Sequence, residues 1–489
     1  MAPLKLPITL ALDIGTSSVR AALYDGSAKA LPRSSVKIER TLTRTLDGGS
    51  EIDADEAFAQ VVAAIDAALA KADRLNAEIE FVAMCSFWHS LMGVDATGKP
   101  TTKVLSWADT RSREYTEVLR KRFNERETHN RTGARFHSSF WPAKLLWLKK
   151  ESPDVFARTI RWMSLSDYVS LKLFGDAATS VSMASGTGIF DQRKCDWDSE
   201  LTRYLGVKRT GLPMIAGDDA TFSLVTKFAK RWPRLKNACW FPAVADGAAD
   251  NIGSGCVTKN RAALMVGTSG AMRIAYTGEP PKRVPDGLWC YRLDRTRVII
   301  GGALSDGGGL YHWLKKNLKI SRNTTDEMRR RGAAAHGLVF MPFLAGERST
   351  GYHESAAGAI LGLTASHDAI DILQAGMESV AYRFAEIFGQ LARMIEIDEI
   401  VASGGALRES PVWTQIIADV LGRDLTISGT RESSMRGAVL LALESIGKIE
   451  SIDNLPTPKA STLAYHPECH AAYRIARTEH RQHYDRTFK

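Results

Sequence analysis

The most constraining feature of the sequence is a short polar tip that occurs twice, each time between two apolar runs. The first copy is LALDIGTSSVRAALYDG, residues 10–26, and the second is AALMVGTSGAMRIAYTG, residues 262–278. Apolar runs that flank Gly-Thr-Ser in this way are typical of β-hairpins. Gly15 and Gly267 are 252 residues apart, about half of the 489-residue chain. The repeat predicts an internal duplication, in which two similar domains present the same hairpin tip.

The chain length also indicates two domains, because a single hydrophobic core stops growing at about 250 to 300 residues. In WFPAVADGAADNIGSG a strand-like run gives way to small residues. We therefore expect domains at residues 1–247 and 248–489, with a cleft between them. In EIDADEAFAQVVAAIDAALAKADRL the apolar residues recur every three to four positions, which predicts a helix and, together with the strands, an α/β fold. The C-terminal AAYRIARTEHRQHYDRTFK is expected to form a surface helix.

The composition limits the classes of binding partner that we expect for this protein. There are 64 Lys and Arg against 55 Asp and Glu, a net charge of +9, and the basic residues are spread along the chain. We therefore expect no nucleic acid partner. The positive charge favours an anionic small substrate or nucleotide, and the alternative is a general charge that only keeps the protein soluble. No run approaches the about 18 apolar residues of a membrane span, and MAPLKLPITLALDIG lacks a signal-peptide pattern. A cytoplasmic protein with no membrane partner is expected.

The six cysteines include no CxxC pair. This pattern argues against both a disulfide framework and a zinc site. We expect the cysteines to be reduced and mostly buried.

The hairpin tips carry the groups of an anion-binding cradle. Glycine allows close backbone approach, and hydroxyls with successive N–H groups can surround phosphate oxygens. Asp13 would repel a phosphate, so its predicted role is to hold Mg²⁺ through water. The alternative for one hairpin alone is an ordinary turn rich in Gly, Ser and Asp. Two facing hairpins favour a nucleotide in the cleft, held by the residues Gly15, Thr16, Ser17, Gly267 and Thr268.

A third glycine element lies in EIVASGGALRESPVWTQIIADVLG, where an apolar run ends at Gly404 and Gly405 and leads into an amphipathic pattern. A strand, two glycines and a helix can bring the backbone against a nucleoside or its α-phosphate. The alternative is a pair of glycines that only closes a strand-to-helix turn. The chain contains no GxxxxGK[ST], GxGxxG or HExxH motif, which excludes a P-loop enzyme and gives no support to a dinucleotide-binding fold.

Four segments in this order resemble the FGGY family of carbohydrate kinases over nearly the whole chain: DIGTSSVRA, VGTSG, GLVFMPFLAGERSTGYHESAAGAILGLTASHD and SGGALRESPVWTQIIADVLG. The resemblance implies two actin-like (ribonuclease H-like) domains with mixed sheets flanked by helices, and an active site in the interdomain cleft. It implies phosphorylation of a sugar or sugar acid, with ATP and Mg²⁺ as cofactors. A homodimer is among the expected assemblies.

Two N-terminal motifs, Trp88-His89-Ser90 and Trp107-Ala108-Asp109-Thr110-Arg111, are most similar to those of the gluconate kinases in this family. The implied reaction is the conversion of D-gluconate to 6-phosphogluconate. The alternative is a xylulokinase or another polyol or ketose kinase of the family. From a different class, the chain could be a catalytically silent nucleotide-binding scaffold, because actin-like folds also serve as assembly modules.

The resemblance also implies roles for individual residues. It places the catalytic base in VADGAAD, where Asp246 is preferred and Asp250 is the competitor, a carboxylate that could instead interact with a helix dipole. Asp109 is expected to accept hydrogen bonds from sugar hydroxyls, and Arg111 or His89 to meet a carboxylate. Trp107 completes the expected substrate set, although it could be a core aromatic and Arg111 a structural salt bridge. Arg273, after the second hairpin, is a further candidate contact for phosphate or acid.

Overall fold

The structure, a computed structural model, describes residues 5–320 and 324–488. The strands of the first half are β1 (Thr9–Ile14), β2 (Ser18–Tyr24), β3 (Val36–Glu39), β4 (Thr43–Arg44), β5 (Ser50–Ile52), β6 (Phe81–Ser86), β7 (Met92–Val94), β8 (Val104–Leu105), β9 (Arg161–Met163), β10 (Ala178–Thr179), β11 (Phe190–Asp191), β12 (Asp196–Trp197), β13 (Met214–Ile215), β14 (Cys239–Trp240) and β15 (Val244–Ala245). The helices of this half are α1 (Ala54–Arg74), α2 (Glu114–Arg122), α3 (Glu125–Thr132), α4 (Trp141–Glu151), α5 (Pro153–Arg158), α6 (Leu165–Phe174), α7 (Val181–Ser185), α8 (Ser199–Leu205), α9 (Thr226–Arg231) and α10 (Asp246–Gly253).

The second half contains the strands β16 (Arg261–Val266), β17 (Gly270–Thr277), β18 (Trp289–Arg292), β19 (Arg297–Leu304), β20 (Val339–Met341), β21 (Ala359–Leu361), β22 (Glu399–Ser403), β23 (Leu425–Ser428) and β24 (Lys459–Leu463). Its helices are α11 (Gly308–Asn317), α12 (Thr324–Arg331), α13 (Ala369–Ala392), α14 (Gly405–Glu409), α15 (Pro411–Leu421), α16 (Ser433–Ser445) and α17 (Pro467–Phe488).

Two large sheets repeat one arrangement. In the first, the order is β14-β6-β1-β2-β3, with β15 also paired to β6. Strands β1 and β2 form the first hairpin and pair antiparallel, whereas β6 runs parallel to β1. In the second sheet, β16 and β17 form the second hairpin and β22 runs parallel to β16. The matching order of hairpin and parallel partner agrees with the duplication that the two polar tips predict.

Helix α1 illustrates how local sequence determines the elements. Asp53 caps its first turn by accepting a hydrogen bond from the backbone N–H of Glu56. Its buried residues recur at helical spacing on one face, while lysine and arginine lie in its last turn. The helix predicted in this segment is therefore confirmed. The predicted C-terminal helix is also present as α17, but it is only partly a surface helix because Tyr473, His480 and Tyr484 are buried.

The two halves meet through helices α10 and α16. The last strand of the first large sheet, β15, ends at Ala245, and the first strand of the second large sheet, β16, begins at Arg261. The expected boundary after residue 247 therefore falls within α10. A side chain at Gly253 or Gly437 would overlap the backbone of the opposite helix. The two helices therefore pack closely and hold the sheets on either side of a cleft.

No helix among the described residues combines the length and the apolar character that a bilayer crossing requires. All six cysteines are free thiols, in agreement with the absence of a disulfide framework. Burial was predicted for most of them, but Cys195, Cys239 and Cys469 are only half-buried.

Candidate active site

The segments that follow the parallel strands β1, β6 and β15 lie at one edge of the first sheet. Strands β1 and β15 both run parallel to β6, with Asp13 opposite Cys85 and Ala245 opposite Ser86. Because the carboxyl ends of parallel strands meet at one edge, the segments that follow them converge there. Asp246, the first residue of α10, thus lies close enough to Asp13 for the charge of Asp13 to raise the pKa of Asp246.

Both of these carboxyl groups are difficult to ionise. Burial raises the pKa of Asp246 to about 7, and the negative charge of Asp13 contributes to the increase. Burial raises the pKa of Asp13 to about 6, although Arg20 lowers it. The Arg20 Nη1 atom is 3.9 Å from Asp13 but 2.9 Å from Glu432, so its charge is shared. The strand edge therefore holds two incompletely neutralised carboxylates.

Asp250 is placed differently from Asp246. Its carboxylate accepts a hydrogen bond of 2.9 Å from Arg273 Nη2, and both side chains are buried. It lies one turn inside α10 rather than at the helix start. The competitor for the base is therefore already paired with a guanidinium, whereas among the described residues Asp246 accepts a hydrogen bond only from the N–H of Gly247, at 2.6 Å.

A cavity of about 120 Å³ opens in front of Asp246, between the two halves of the molecule. Aromatic rings form much of its wall, and two arginines and two aspartates face it. The aromatic and charged residues that line the cavity include Trp88, His89, Trp107, Asp246, Asp250, Arg273, Trp289, Tyr291 and Arg348. Aromatic walls with a few convergent polar groups are the usual composition of a small-molecule site.

Arg348 is the least compensated charge of this cavity. Its Nη2 donates to the carbonyl oxygen of Leu304 at 2.7 Å, its guanidinium lies 4.6 Å from the centre of the Trp107 ring, and no carboxylate among the described residues pairs with it. Burial lowers its pKa to about 10. Its Nε and the hydroxyl of Tyr291 have no hydrogen-bond partner within the part of the chain that the structure describes. An uncompensated guanidinium beside unpaired donors favours an anionic, oxygen-rich ligand.

His89 faces the same cavity as a neutral imidazole. Its Nδ1 is 2.5 Å from the carbonyl oxygen of Gly186, and burial lowers its pKa to about 3. An Nδ1–H that donates to this carbonyl leaves Nε2 as an acceptor. His89 also has a φ of 69°, a left-handed conformation that is uncommon for a residue other than glycine. Its chemistry therefore suits a sugar hydroxyl better than a carboxylate.

Lys144 fixes the segments around His89, a role that the sequence did not predict. Its Nζ donates to the carbonyl oxygens of Ser106 at 2.6 Å, Ser139 at 2.9 Å and His89 at 3.2 Å. Burial lowers its pKa to about 7. Ser106 directly precedes Trp107, and the Ser139 hydroxyl donates to the Trp107 carbonyl oxygen. One buried amine thereby holds the cavity residues of two separate loops.

Asp109 and Arg111 are not among the residues that line this cavity. The Asp109 carboxylate accepts hydrogen bonds from Arg111 and from the N–H of Ser50, and Arg111 also pairs with Glu51 at 2.6 Å. The Arg111 guanidinium lies 4.8 Å from the centre of the Trp147 ring. Both charges are thus satisfied by neighbours within the first half. Their role in substrate binding stays a prediction that this arrangement does not support.

Within the described residues, the first hairpin tip leaves the hydrogen-bond donors of Thr16 and Ser17 free. Gly15 N–H donates to the carbonyl oxygen of Ser18 and closes the turn, and Arg40 donates to the Gly15 carbonyl oxygen at 3.0 Å. Within the described residues, neither the hydroxyls nor the N–H groups of Thr16 and Ser17 form a hydrogen bond. Successive free donors at a tight turn are suited to binding an anion.

A run of glycines at the start of α11 donates hydrogen bonds to the backbone of the second hairpin tip. The N–H groups of Gly308 and Gly309, at the start of α11, donate to the carbonyl oxygens of Gly267 and Thr268 at 2.8 Å. The carbonyl oxygens of Gly267 and Thr268 therefore already accept hydrogen bonds. The Thr268 hydroxyl and N–H form no hydrogen bond within the described part of the chain.

The third glycine element meets the second hairpin. Gly404 has a φ of 108°, and a side chain there would overlap the backbone of Val266, the last residue of β16. By contrast, a Cβ on Gly405 would meet no atom within 4 Å. The fold therefore requires glycine at position 404, whereas Gly405 borders open space beside the hairpin.

This difference between the glycines predicts opposite outcomes for two variants. Gly404→Ala is expected to lower the melting temperature, because it combines backbone strain with overlap. Gly405→Leu is expected to fold normally but to raise the KM for ATP about tenfold, or about 1.4 kcal/mol, if adenosine occupies the space. Thermal unfolding and steady-state kinetics measure the two effects. An unchanged KM for ATP in Gly405→Leu would remove this surface from the nucleotide site.

The geometry agrees with comparisons to known proteins. A model of the N-terminal domain of the FGGY family of carbohydrate kinases matches residues 8–236, and a model of its C-terminal domain matches residues 262–445. The chain belongs to the FGGY family of carbohydrate kinases. Its two domains therefore have the actin-like fold of sugar kinases, and kinases of this family use ATP as phosphoryl donor, normally with Mg²⁺.

Individual relatives differ in substrate. The gluconokinase of Bacillus subtilis (strain 168) is 27% identical over 474 residues, which cover 94% of this chain and 91% of that protein. The crystal structure of gluconate kinase from Lactobacillus acidophilus has a TM-score of 0.89 at 25% identity, covering 98% of this chain and 97% of that one. The ligand-bound xylulose kinase from Lactobacillus acidophilus gives the same values. Similarity alone therefore identifies a carbohydrate kinase without distinguishing these two sugars.

Proposed function

We propose that this chain is a gluconokinase, which transfers the terminal phosphoryl group of ATP to D-gluconate and forms 6-phosphogluconate. The observation that carries the proposal is Arg348, a guanidinium without a carboxylate partner in the cavity that also contains Asp246. Removing a charge from water is unfavourable unless an opposite charge compensates it. A sugar acid supplies that charge, whereas a neutral ketopentose does not.

The guanidinium also has the right shape for this ligand. Arginine presents N–H groups in a planar arrangement that matches a carboxylate, and the Arg348 Nε has no hydrogen-bond partner in residues 5–320 and 324–488. The hydroxyls of gluconate then have acceptors and donors in the cavity, including the neutral His89 and the Tyr291 hydroxyl. Aromatic rings such as Trp88 and Trp107 complete the cavity wall and exclude water from it.

The reaction needs a base, charge neutralisation and correct positioning. In the proposed mechanism, Asp246 accepts the proton of the attacking hydroxyl, because it lies in the cavity and its pKa is about 7. The free N–H groups of the tips at Thr16 and Thr268 would bind phosphate oxygens. The incompletely neutralised Asp13 and Asp246 fit Mg²⁺, which prefers oxygen ligands, and Asp13 would hold it. When bound, Mg²⁺ neutralises the charge of the phosphates.

The proposal is tested by ADP release from Mg·ATP with D-gluconate, D-xylulose, D-ribulose and glycerol as acceptors. We expect turnover of gluconate, with kcat/KM at least about tenfold above that of any other acceptor. Preferential turnover of a ketopentose would support the kinase activity but contradict gluconate as the substrate. ATP binding with no turnover of any acceptor would favour the scaffold alternative.

A further inference from the structure

A cluster of three different side chains, none of which lines the cavity of the candidate active site, lies where helix α17 begins. Asp419, near the end of α15, His466 and Cys469 each offer one donor atom, and these atoms lie within 4.8 Å of one another. Asp419 Oδ2 is 3.3 Å from His466 Nδ1. We propose that these residues form a zinc site that fastens the start of α17 to α15. This inference is independent of the proposed kinase substrate.

The donor set matches the preference of Zn²⁺. Zinc in proteins is bound by thiolate sulfur, imidazole nitrogen and carboxylate oxygen, usually in a tetrahedral arrangement. At bond lengths of about 2.0 to 2.3 Å, tetrahedral ligands are separated by about 3.3 to 3.8 Å. The three donors are already within 4.8 Å of one another, so small side-chain rotations suffice to enclose an ion. One carboxylate and one thiolate would balance the two charges of zinc.

The surroundings orient the buried ligand. Gln415 Nε2 donates to Asp419 Oδ1 at 2.8 Å, and the backbone N–H of His466 donates to the same oxygen at 2.7 Å. The second oxygen is thereby directed toward His466. Hydrogen bonds of this kind to a ligand carboxylate are characteristic of metal sites, where they fix the ligand's orientation.

An ion can reach the cluster. Asp419 is buried, but the side chain of His466 is 53% exposed and Cys469 is half-buried. The exposed side leaves a fourth position for water. The lack of a CxxC pair argues against a zinc site, so the sequence alone does not predict this cluster. The short H-x-x-C spacing of His466 and Cys469 indicates a metal site only once the fold places Asp419 of α15 beside them.

The site is tested by titrating the purified full-length enzyme with Co²⁺ and, separately, with Zn²⁺. We expect one ion per chain, a sulfur-to-cobalt charge-transfer band, and visible bands with the intensity of four-coordinate cobalt. Cys469→Ser should abolish the charge-transfer band. It should also weaken Zn²⁺ binding by more than the about 10- to 100-fold that the loss of an outer hydrogen-bond partner costs.

Cys239→Ser is the matched control, because Cys239 is an equally half-buried free thiol outside the cluster. It should keep the cobalt spectrum of the wild type. His466→Asn provides a second variant if Cys469→Ser fails to fold, as judged by circular dichroism. A wild-type enzyme that gives no charge-transfer band, or the same band in Cys469→Ser, would overturn the proposal and leave only a hydrogen-bonded helix start.

Discussion

Asp246→Asn is expected to lower kcat by about 10²- to 10⁴-fold while leaving Mg·ATP binding nearly intact. Asparagine has almost the same shape but cannot accept the proton of the attacking hydroxyl. Because Asp246 lies at the start of α10 and faces the cavity, the loss should appear in turnover rather than in folding. Steady-state kinetics and calorimetric titration with a non-hydrolysable ATP analogue measure the two properties.

The same residue predicts the pH dependence. Burial raises the pKa of Asp246 to about 7, and only the ionised carboxylate can act as a base. Activity should therefore decrease as the pH falls below about 7, with the midpoint shifted lower if bound Mg²⁺ stabilises the carboxylate. Asp246→Asn should move the acidic limb of its residual activity to the lower pH at which Asp13, whose pKa burial raises to about 6, becomes protonated. A wild-type profile that stays flat down to pH 5 would contradict the assignment.

Asp250→Asn is the appropriate control, since it alters the competing carboxylate on the same helix. Here the expected effect is mainly on stability, because Arg273 would lose its buried partner, at a cost of about 3 to 5 kcal/mol. A folded Asp250→Asn variant without turnover, beside an active Asp246→Asn variant, would exchange the roles of the two residues.

Arg348→Gln is expected to lower kcat/KM for gluconate by about 10²- to 10³-fold, or about 2.7 to 4.1 kcal/mol. Glutamine keeps a donor but removes the charge that has no carboxylate partner. The change should affect a neutral sugar much less than gluconate, so the ratio of the two kcat/KM values is the measurement. Arg348→Lys should recover part of the loss through charge, but not the planar contact.

Arg111→Gln separates a substrate contact from a structural ion pair. Arg111 pairs with Asp109 and Glu51 and does not line the cavity, so its replacement should lower the melting temperature and change KM for gluconate little. If instead Arg111→Gln raised KM at unchanged stability and Arg348→Gln had no effect, the carboxylate would bind where the sequence motif predicts rather than in the cavity.

Local sequence was sufficient for the hairpins and the strand edge. Apolar runs on both sides of a Gly-Thr-Ser tip predict a hairpin, and the structure confirms β1–β2 and β16–β17. Asp13 and Asp246 could be selected because each follows a strand-like run. Parallel pairing with β6 then brings them together, a consequence of topology that the motifs of the family implied.

Other parts of the site depend on distant contacts. The segment GERST was visible in the sequence, but Arg348 matters because no acidic side chain among the described residues pairs with it, and that is a property of the folded chain. Conversely, Asp109 and Arg111 are two positions apart, and their spacing does not reveal whether they face a ligand or each other. The structure shows that they pair. A single buried lysine, Lys144, likewise acquires its role only from three carbonyl groups in separate loops.

The most direct test of the central claim compares D-gluconate with D-glucitol, which has the same carbon chain but a hydroxymethyl group in place of the carboxylate. The kcat/KM values of the wild-type enzyme, measured by ADP release, should favour gluconate by at least about 100-fold, because of the two compounds only gluconate offers Arg348 a carboxylate. Arg348→Gln should reduce this preference. Equal values for the two compounds in the wild-type enzyme would contradict a site that binds a sugar acid through its carboxylate.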